Sequence, residues 1–290
     1  MRIMLTGHAG FIGSRLLKKL LELGHEIIGI DNFSTGKKEN IFRHKNLFSY
    51  EHDLKNWSMT KVIISDTKPE VIFHLAGSAS VPESFKKSRE FFENNVMATN
   101  NLLCSIDPKI TKKIIFASSS SVYGNMAGEN VLESYADTAK QYSPYAFTKM
   151  NCERLFEMFY KLYEINYTVL RYFNVYEGSG KGRGVIDKWI NQKNNNEEIL
   201  QFGNTERDYT HVDDIVKANI AAIDYYQNPI NPKKTFNVGT GKKTSLNDIA
   251  NNLGIKPIMS ATRAEDIQVC TANINLAKIY LNYKPSIFGE

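Results

Sequence analysis

The chain has 290 residues, 42% of them hydrophobic and 23% charged, with 36 lysines and arginines against 31 acids. That composition belongs to a globular chain long enough for one large domain or two unequal ones. The net charge of +5 is scattered rather than gathered into blocks, and no segment holds about 18 consecutive apolar residues, so neither nucleic acid nor a membrane is an expected partner.

Cys104, Cys152 and Cys270 stand far apart, with no spacing that suggests a disulfide frame or a metal site. The opening MRIMLTG is too short in apolar residues for a signal segment. Both features make the cytoplasm the expected location.

In chain order, RIMLTG is a short apolar run that ends at Gly7. FIGSRLLKKLLELG follows, with Ile12, Leu16, Leu17 and Leu20 at helical spacing, and HEIIGID is a second strand that ends at Asp31. This strand–helix–strand unit belongs in a parallel sheet. Its first turn carries Gly7, Gly10 and Gly13 in a GxxGxxG spacing, rather than the usual GxGxxG of dinucleotide sites. A glycine-rich turn lets phosphates reach backbone N–H groups at the positive end of a helix. Asp31 lies 18 residues after Gly13. An acid there accepts hydrogen bonds from ribose hydroxyls and repels a 2′-phosphate, which favours NAD over NADP. The competing reading of Asp31 is a turn former ahead of Asn32.

LFSYEHD (47–53) and VIFHLAG (71–77) are two further strands, and His74 reads as a core or sheet-edge histidine. A fifth strand in KKIIFASSSSVYG (112–124) ends in four serines. The segment SPYAFTKM (143–150) then places Pro144 in a helix's first turn and Tyr145 and Lys149 one turn apart. Taken alone, that pair is a common surface arrangement.

A serine at a strand end followed by Tyr-x-x-x-Lys on the next helix resembles the short-chain dehydrogenase/reductase superfamily. TGHAGFIG (6–13), DNFSTGKKENI, HLAGSASVPES, NNVMATNNLL, SPYAFTK, LRYFNVY, RDYTHVDD, FNVGTG and RAEDI occur in order along nearly the whole chain. Together they resemble the extended, NAD-dependent epimerase/dehydratase family, and DNFSTG and RYFNVY look most like its UDP-hexose 4-epimerases.

The resemblance implies a Rossmann-type doubly wound parallel sheet with a smaller α/β substrate-binding domain. It puts the NAD domain at 1–175, with the chain returning at about 208–230, and the nucleotide-sugar domain in the rest of 176–290. NAD would lie on Gly7, Gly10, Phe11, Ile12 and Gly13, with Asp31, Asn32, Ser34, Thr35 and Gly36 at its adenosine ribose. Asp53 and Leu54 would meet adenine, and Ala76, Gly77 and Asn95 the nicotinamide half. Ser119, Tyr145 and Lys149 would be catalytic, with Lys149 lowering the pKa of the Tyr145 base. Ser119, Asn174, Val185, Arg207, Arg263, Asp266 and Cys270 would hold a UDP-sugar, with the two arginines at the diphosphate. In such 4-epimerases the residue four after the ribose-binding acid lines the sugar pocket, and here it is the small Cys270. No metal is implied.

Arg207 beside Asp208 also fits a structural ion pair, and Asp213 and Asp214 read as helix caps. The segments 177–186 and 202–209 are shorter than in the family pattern, and Asn273 stands where an Asp is frequent. Helices over 82–104 and 144–164 resemble the pair that forms a dimer interface in relatives, so a homodimer is expected.

The implied activity is 4-epimerisation of UDP-Glc/UDP-Gal, extending to UDP-GlcNAc/UDP-GalNAc, through a transient 4-keto sugar. The alternatives are another nucleotide-sugar oxidoreductase or dehydratase, and a non-catalytic NAD-sensing protein. Ser120 and Ser121 follow Ser119 where dehydratases and decarboxylases carry acids, which speaks against elimination.

Overall fold

The computed structural model describes residues 1–226, 234–261 and 267–289. Its centre is a seven-stranded sheet built from β1 (Arg2–Thr6), β2 (Glu26–Asp31), β3 (Leu47–Glu51), β4 (Val71–His74), β5 (Lys113–Ser119), β6 (Tyr167–Tyr172) and a later strand, Thr235–Val238. Every neighbouring pair in this sheet is parallel. The strands read as continuous apolar runs because the sheet is covered on both faces.

On one face pack α1 (Phe11–Glu22) and a later helix, Val212–Asp224, through Leu16, Leu17, Leu20, Ile215 and Ala218. On the other face lie α2 (Trp57–Thr67) and, after three shorter segments, the long helix Pro144–Tyr163. Ile63, Leu102, Phe156 and Phe159 bury that second face. β1 has β2 on one side and β4 on the other, so the chain reverses its direction of growth there. Ligands of open α/β sheets bind at such a switch point, beyond the carboxyl ends of the strands.

The predicted helix over 82–104 is interrupted. It consists of α3 (Val81–Lys86), α4 (Ser88–Phe92), a π-helical stretch (Glu93–Met97) and α5 (Ala98–Leu103), with a break at Lys87. The long helix, α6 (Pro144–Tyr163), begins as expected. Ser143 caps it by accepting from the Ala146 N–H at 3.1 Å, and Pro144 occupies its first turn.

The remaining elements are β7 (Val175–Tyr176), α7 (Gly184–Asn194), β8 (Leu200–Phe202), β9 (Glu206–Arg207), β10 (Thr210–His211), α8 (Val212–Asp224), β11 (Thr235–Val238), β12 (Thr244–Ser245), α9 (Leu246–Leu253), β13 (Ile258–Ser260), β14 (Val269–Cys270) and α10 (Asn275–Leu281). Short pairings join β7 to β10 and β8 to β13, while β9 lies between β12 and β14. Ile186, Trp189, Tyr209, Leu246 and Ile249 form a separate small core beside them.

Three expectations are corrected here. The return to the main sheet runs beyond about 230, because β11 is its outer strand next to β6. Ala277 and Leu281 of α10 also join the main core, so part of the tail covers the large sheet. Asp213 and Asp214 are not caps: the His211 side chain caps α8, and both acids lie in its first turn. Asp214 is fully buried and instead accepts from the Ser286 N–H at 2.8 Å, anchoring the following chain.

Candidate active site

The first turn after β1 is shaped by what it cannot hold. Gly7 has φ +75°, and a Cβ there would sit 2.9 Å from the Ala76 nitrogen. A Cβ on Gly13 would fall 1.9 Å from the Gly7 carbonyl oxygen. Only glycine fits either place. Gly10 opens α1 without a side-chain cap, and the helix's first turn contains no acid. The positive end of α1 is therefore left free for an anion.

At the end of β2, Asp31 is buried and fixed in orientation. One oxygen accepts from the Ala9 N–H at 3.0 Å and the other from the Phe33 N–H at 2.8 Å. Gly36 packs against this carboxylate, since a Cβ there would lie 2.9 Å from both oxygens. Asp53 accepts from the Asn32 amide at 3.1 Å. A bare glycine turn, an open helix end and an anchored acid on one groove fit NAD.

The groove has a cavity volume of ≈ 200 Å³. Gly7, Gly10, Phe11, Ile12, Gly13, Asp31, Asn32, Ser34, Thr35, Asp53, Leu54, Ala76, Gly77, Tyr145 and Lys149 all line it. Of the expected cofactor residues, Gly36 and Asn95 act from behind the lining. The Asn95 carboxamide accepts from the Ser78 N–H at 2.7 Å and donates to Ser78 O at 3.1 Å and to Thr148 Oγ1 at 2.9 Å. It ties the end of β4 to α6 one residue before Lys149. The π-helical stretch presents it, and such bulges are frequent at functional sites.

At the reactive end, Tyr145 is buried and its hydroxyl faces the side chain of Ser119. Ser119 terminates β5 and also accepts from the Ser121 N–H at 3.2 Å. Lys149 is buried, and its Nζ donates to Ala117 O at 2.8 Å. Strand β5 and helix α6 thus bring Ser119, Tyr145 and Lys149 together. The electrostatics differ from expectation. Burial pushes the Tyr145 hydroxyl above the ordinary tyrosine value, and only the Ser119 side chain opposes it. Burial also pushes Lys149 down, with Cys152 and Glu153 working against that. Within the protein, desolvation outweighs the lowering that Lys149 was expected to give.

Other acids near this end are committed elsewhere. Glu153 is buried against Arg171 at 2.7 Å and also accepts from Ser118. Among the described residues that line the groove, the carboxylates are Asp31 and Asp53, both at the far end. His74 is a core histidine, as expected. Its ring lies between Thr6 and Thr99 at 2.8 and 2.9 Å, and burial pushes its pKa down to about 3.

The expected substrate residues are more dispersed. Asn174 is exposed after β6, and Val185 is the second residue of α7. Arg207 on β9 stands opposite Cys270 on β14 in a parallel pair. Cys270 is buried, which pushes its thiol up to about 11. None of these four lines the groove that holds Tyr145. Arg263 and Asp266 lie outside the described residues. The buried Asp208 accepts from Thr240 N at 2.7 Å, Gly241 N at 2.8 Å and Ala272 N at 3.2 Å, so it fastens loops. Sequence reasoning missed Ser78, Ser118, Tyr172 and Arg183, which line the groove. Ser78 and Ser118 each adjoin an expected site residue, whereas Arg183 carried no signal beyond being a cation among glycines.

Residues 3–239 match the model of the NAD dependent epimerase/dehydratase family. The chain belongs to that family. The family member of known structure from Thermotoga maritima, a UDP-glucose 4-epimerase solved with UDP-glucose, is 34% identical. It superposes with a TM-score of 0.88 over 99% of this chain and 94% of its own. The UDP-N-acetylglucosamine 4-epimerase of Methanobrevibacter ruminantium M1, solved with UDP-N-acetylmuramic acid, is 31% identical at a TM-score of 0.88, covering 98% of this chain and 93% of its own. A UDP-glucuronate 4-epimerase from Thermodesulfobacterium geofontis is 30% identical over 99% of this chain and 92% of its own length. The family is NAD-dependent, and these three relatives are named for UDP-sugars that differ at more than one carbon.

Proposed function

We propose that the protein is a UDP-sugar 4-epimerase, acting on UDP-Glc/UDP-Gal and on their N-acetylated counterparts. The observation that carries this reading is the placement of Ser119 against Tyr145, with Lys149 one helical turn on, at the end of an NAD-fitting groove whose described residues put no carboxylate at its reactive end. NAD, when bound, supplies a reversible hydride acceptor and a positive ring that favours the Tyr145 phenolate. Tyr145 accepts the proton of the sugar's C4 hydroxyl and returns it after the 4-keto sugar has turned over. Ser119 holds the same oxygen and relays the proton. Lys149, held by Ala117 O, keeps a positive charge next to the phenolate. A dehydratase would need an acid for the leaving hydroxyl. Glu153, the nearby buried acid, is engaged by Arg171.

In this reading, residues 1–175 with the later return hold NAD, and much of 176–290 holds the nucleotide sugar, with Arg207 and Arg263 at its diphosphate and Asp266 at its ribose. The working form is a homodimer in the cytoplasm. The three free cysteines suit a reducing compartment, and no helix among the described residues is long and apolar enough to cross a membrane.

Tyr145→Phe is expected to lose at least about a thousandfold in turnover, since it removes the acid/base itself. It should still co-purify with NAD. Substantial interconversion of UDP-Glc and UDP-Gal by that variant, followed by chromatography, would reject the assignment. Stoichiometric consumption of added NADH would point to a reductase instead.

A further inference from the structure

The segment between β7 and α7 crosses from the smaller sheets to the cofactor helix. Glu177 forms an ion pair with Arg15 of α1, and its carbonyl lies 3.0 Å from His211 Nε2. The segment is built rather than loose. Asp187 is fully buried, and its carboxylate accepts from the N–H groups of Glu177 at 2.8 Å and of Gly178 and Gly180 at 3.0 Å each. A Cβ on Gly182 would collide with that carboxylate at 2.4 Å. The next residue, Arg183, lines the groove together with the glycine turn of α1.

Arg183 forms no ion pair among the described residues. Of the described residues that line the groove, only Lys149 and Arg183 are lysine or arginine, and Lys149 is committed to Ala117 O at the reactive end. A dinucleotide carries two phosphate charges at the middle of this groove. The end of α1 offers N–H groups and a partial charge there, but no formal one. We propose that Arg183 clamps the diphosphate of NAD, and that the Arg15–Glu177 pair and Asp187 hold it in place as a strap across the cofactor. A guanidinium suits the task, because its planar fork donates two hydrogen bonds to phosphate oxygens. The strap comes from the side of the molecule assigned to the sugar, so it retains the cofactor while substrate enters and leaves.

The test follows NAD release from the isolated holoprotein after addition of excess fluorescent etheno-NAD. Arg183→Ala should release NAD about tenfold to a hundredfold faster, the range expected for a lost hydrogen bond to a charged group. Arg183→Lys should recover part of the loss, and Glu177→Gln should show a smaller acceleration. For Arg183→Ala stripped of NAD, ADP-ribose should bind more weakly in the same proportion, whereas adenosine should bind as to wild type, which shows that the groove is intact. Release within twofold of wild type overturns the proposal. So does an equal loss for adenosine, or weakened UDP binding with NAD release unchanged, which would assign Arg183 to the substrate's diphosphate.

Discussion

Cys270 stands opposite Arg207 and belongs to an apolar cluster with Val122, Tyr123 and Phe173. Its position is that of a small buried strand residue, and that smallness is what the substrate proposal uses. If it borders the sugar at C2, an acetamido group has room, and a larger side chain would remove it. Overpacking a tight site costs about 1–3 kcal/mol. Cys270→Tyr is therefore expected to lower kcat/KM for UDP-GlcNAc about tenfold or more beyond any loss for UDP-Glc. Equal losses for both sugars would show that Cys270 does not gate the site. At this scale, the meeting of Ser119, Tyr145 and Lys149 was legible through the family resemblance, and Asp31 through its place at the end of the second strand. Arg183 was not, because it reaches the groove through a fold of the chain that Asp187 organises from four residues downstream. The direction of the Tyr145 shift was also hidden. A pair's spacing reveals which charges meet, but not how much water their burial removes.

The elements show the same division. β1 to β5, α1 and the start of α6 followed from apolar runs, glycines and a Ser-Pro cap, all local signals. The π-helical stretch within 81–103 was not legible, because the contacts its Asn95 makes with Ser78 and Thr148 are tertiary. Along that interrupted stretch, α3 and the following segments expose Phe85, Phe92 and Met97, while α6 exposes Phe147, Met158 and Leu162. Those three α6 residues share one face with Asn151 and Arg154, by helical spacing. A second copy of the same pair of helices would cover this face in a self-complementary interface. The joint substitution Met158→Glu and Leu162→Glu is expected to turn a dimer into a monomer in sedimentation velocity, without unfolding a surface that is already exposed. A wild-type protein that sediments as a monomer at tens of micromolar would refute the dimer.

For the whole molecule, the parallel sheet was legible from the first strand–helix–strand unit and its doubly wound form from the family resemblance, whereas the late return of β11 and α10 was not. A four-residue strand and a seven-residue helix carry too little pattern to declare which sheet they join. The amino-terminal edge of the main sheet contains Lys113, at the start of the inner strand β5 and fully buried. Its Nζ has no hydrogen-bond partner among the described residues and lies 5.2 and 5.1 Å from the ring centres of Tyr225 and Tyr226. Burial pulls its pKa from 10.5 down to about 7, against the attraction of Asp224. Below pH 7 the amine is protonated in both the folded and unfolded chain, and the folded state bears the full cost of burying the charge. Between pH 7 and 10.5 the folded amine is neutral while the unfolded one still binds a proton, so stability rises with pH across that window. One proton corresponds to a slope of about 1.4 kcal/mol per pH unit. Urea unfolding at pH 7, 8 and 9, with NAD held at one saturating concentration, should show this rise in wild type. Lys113→Met, which keeps much of the volume without the charge, should be more stable than wild type at pH 7 and should show a slope lower by that amount. An unchanged slope in the variant would mean that Lys113 keeps its proton when folded, its charge stabilised by the two tyrosine rings.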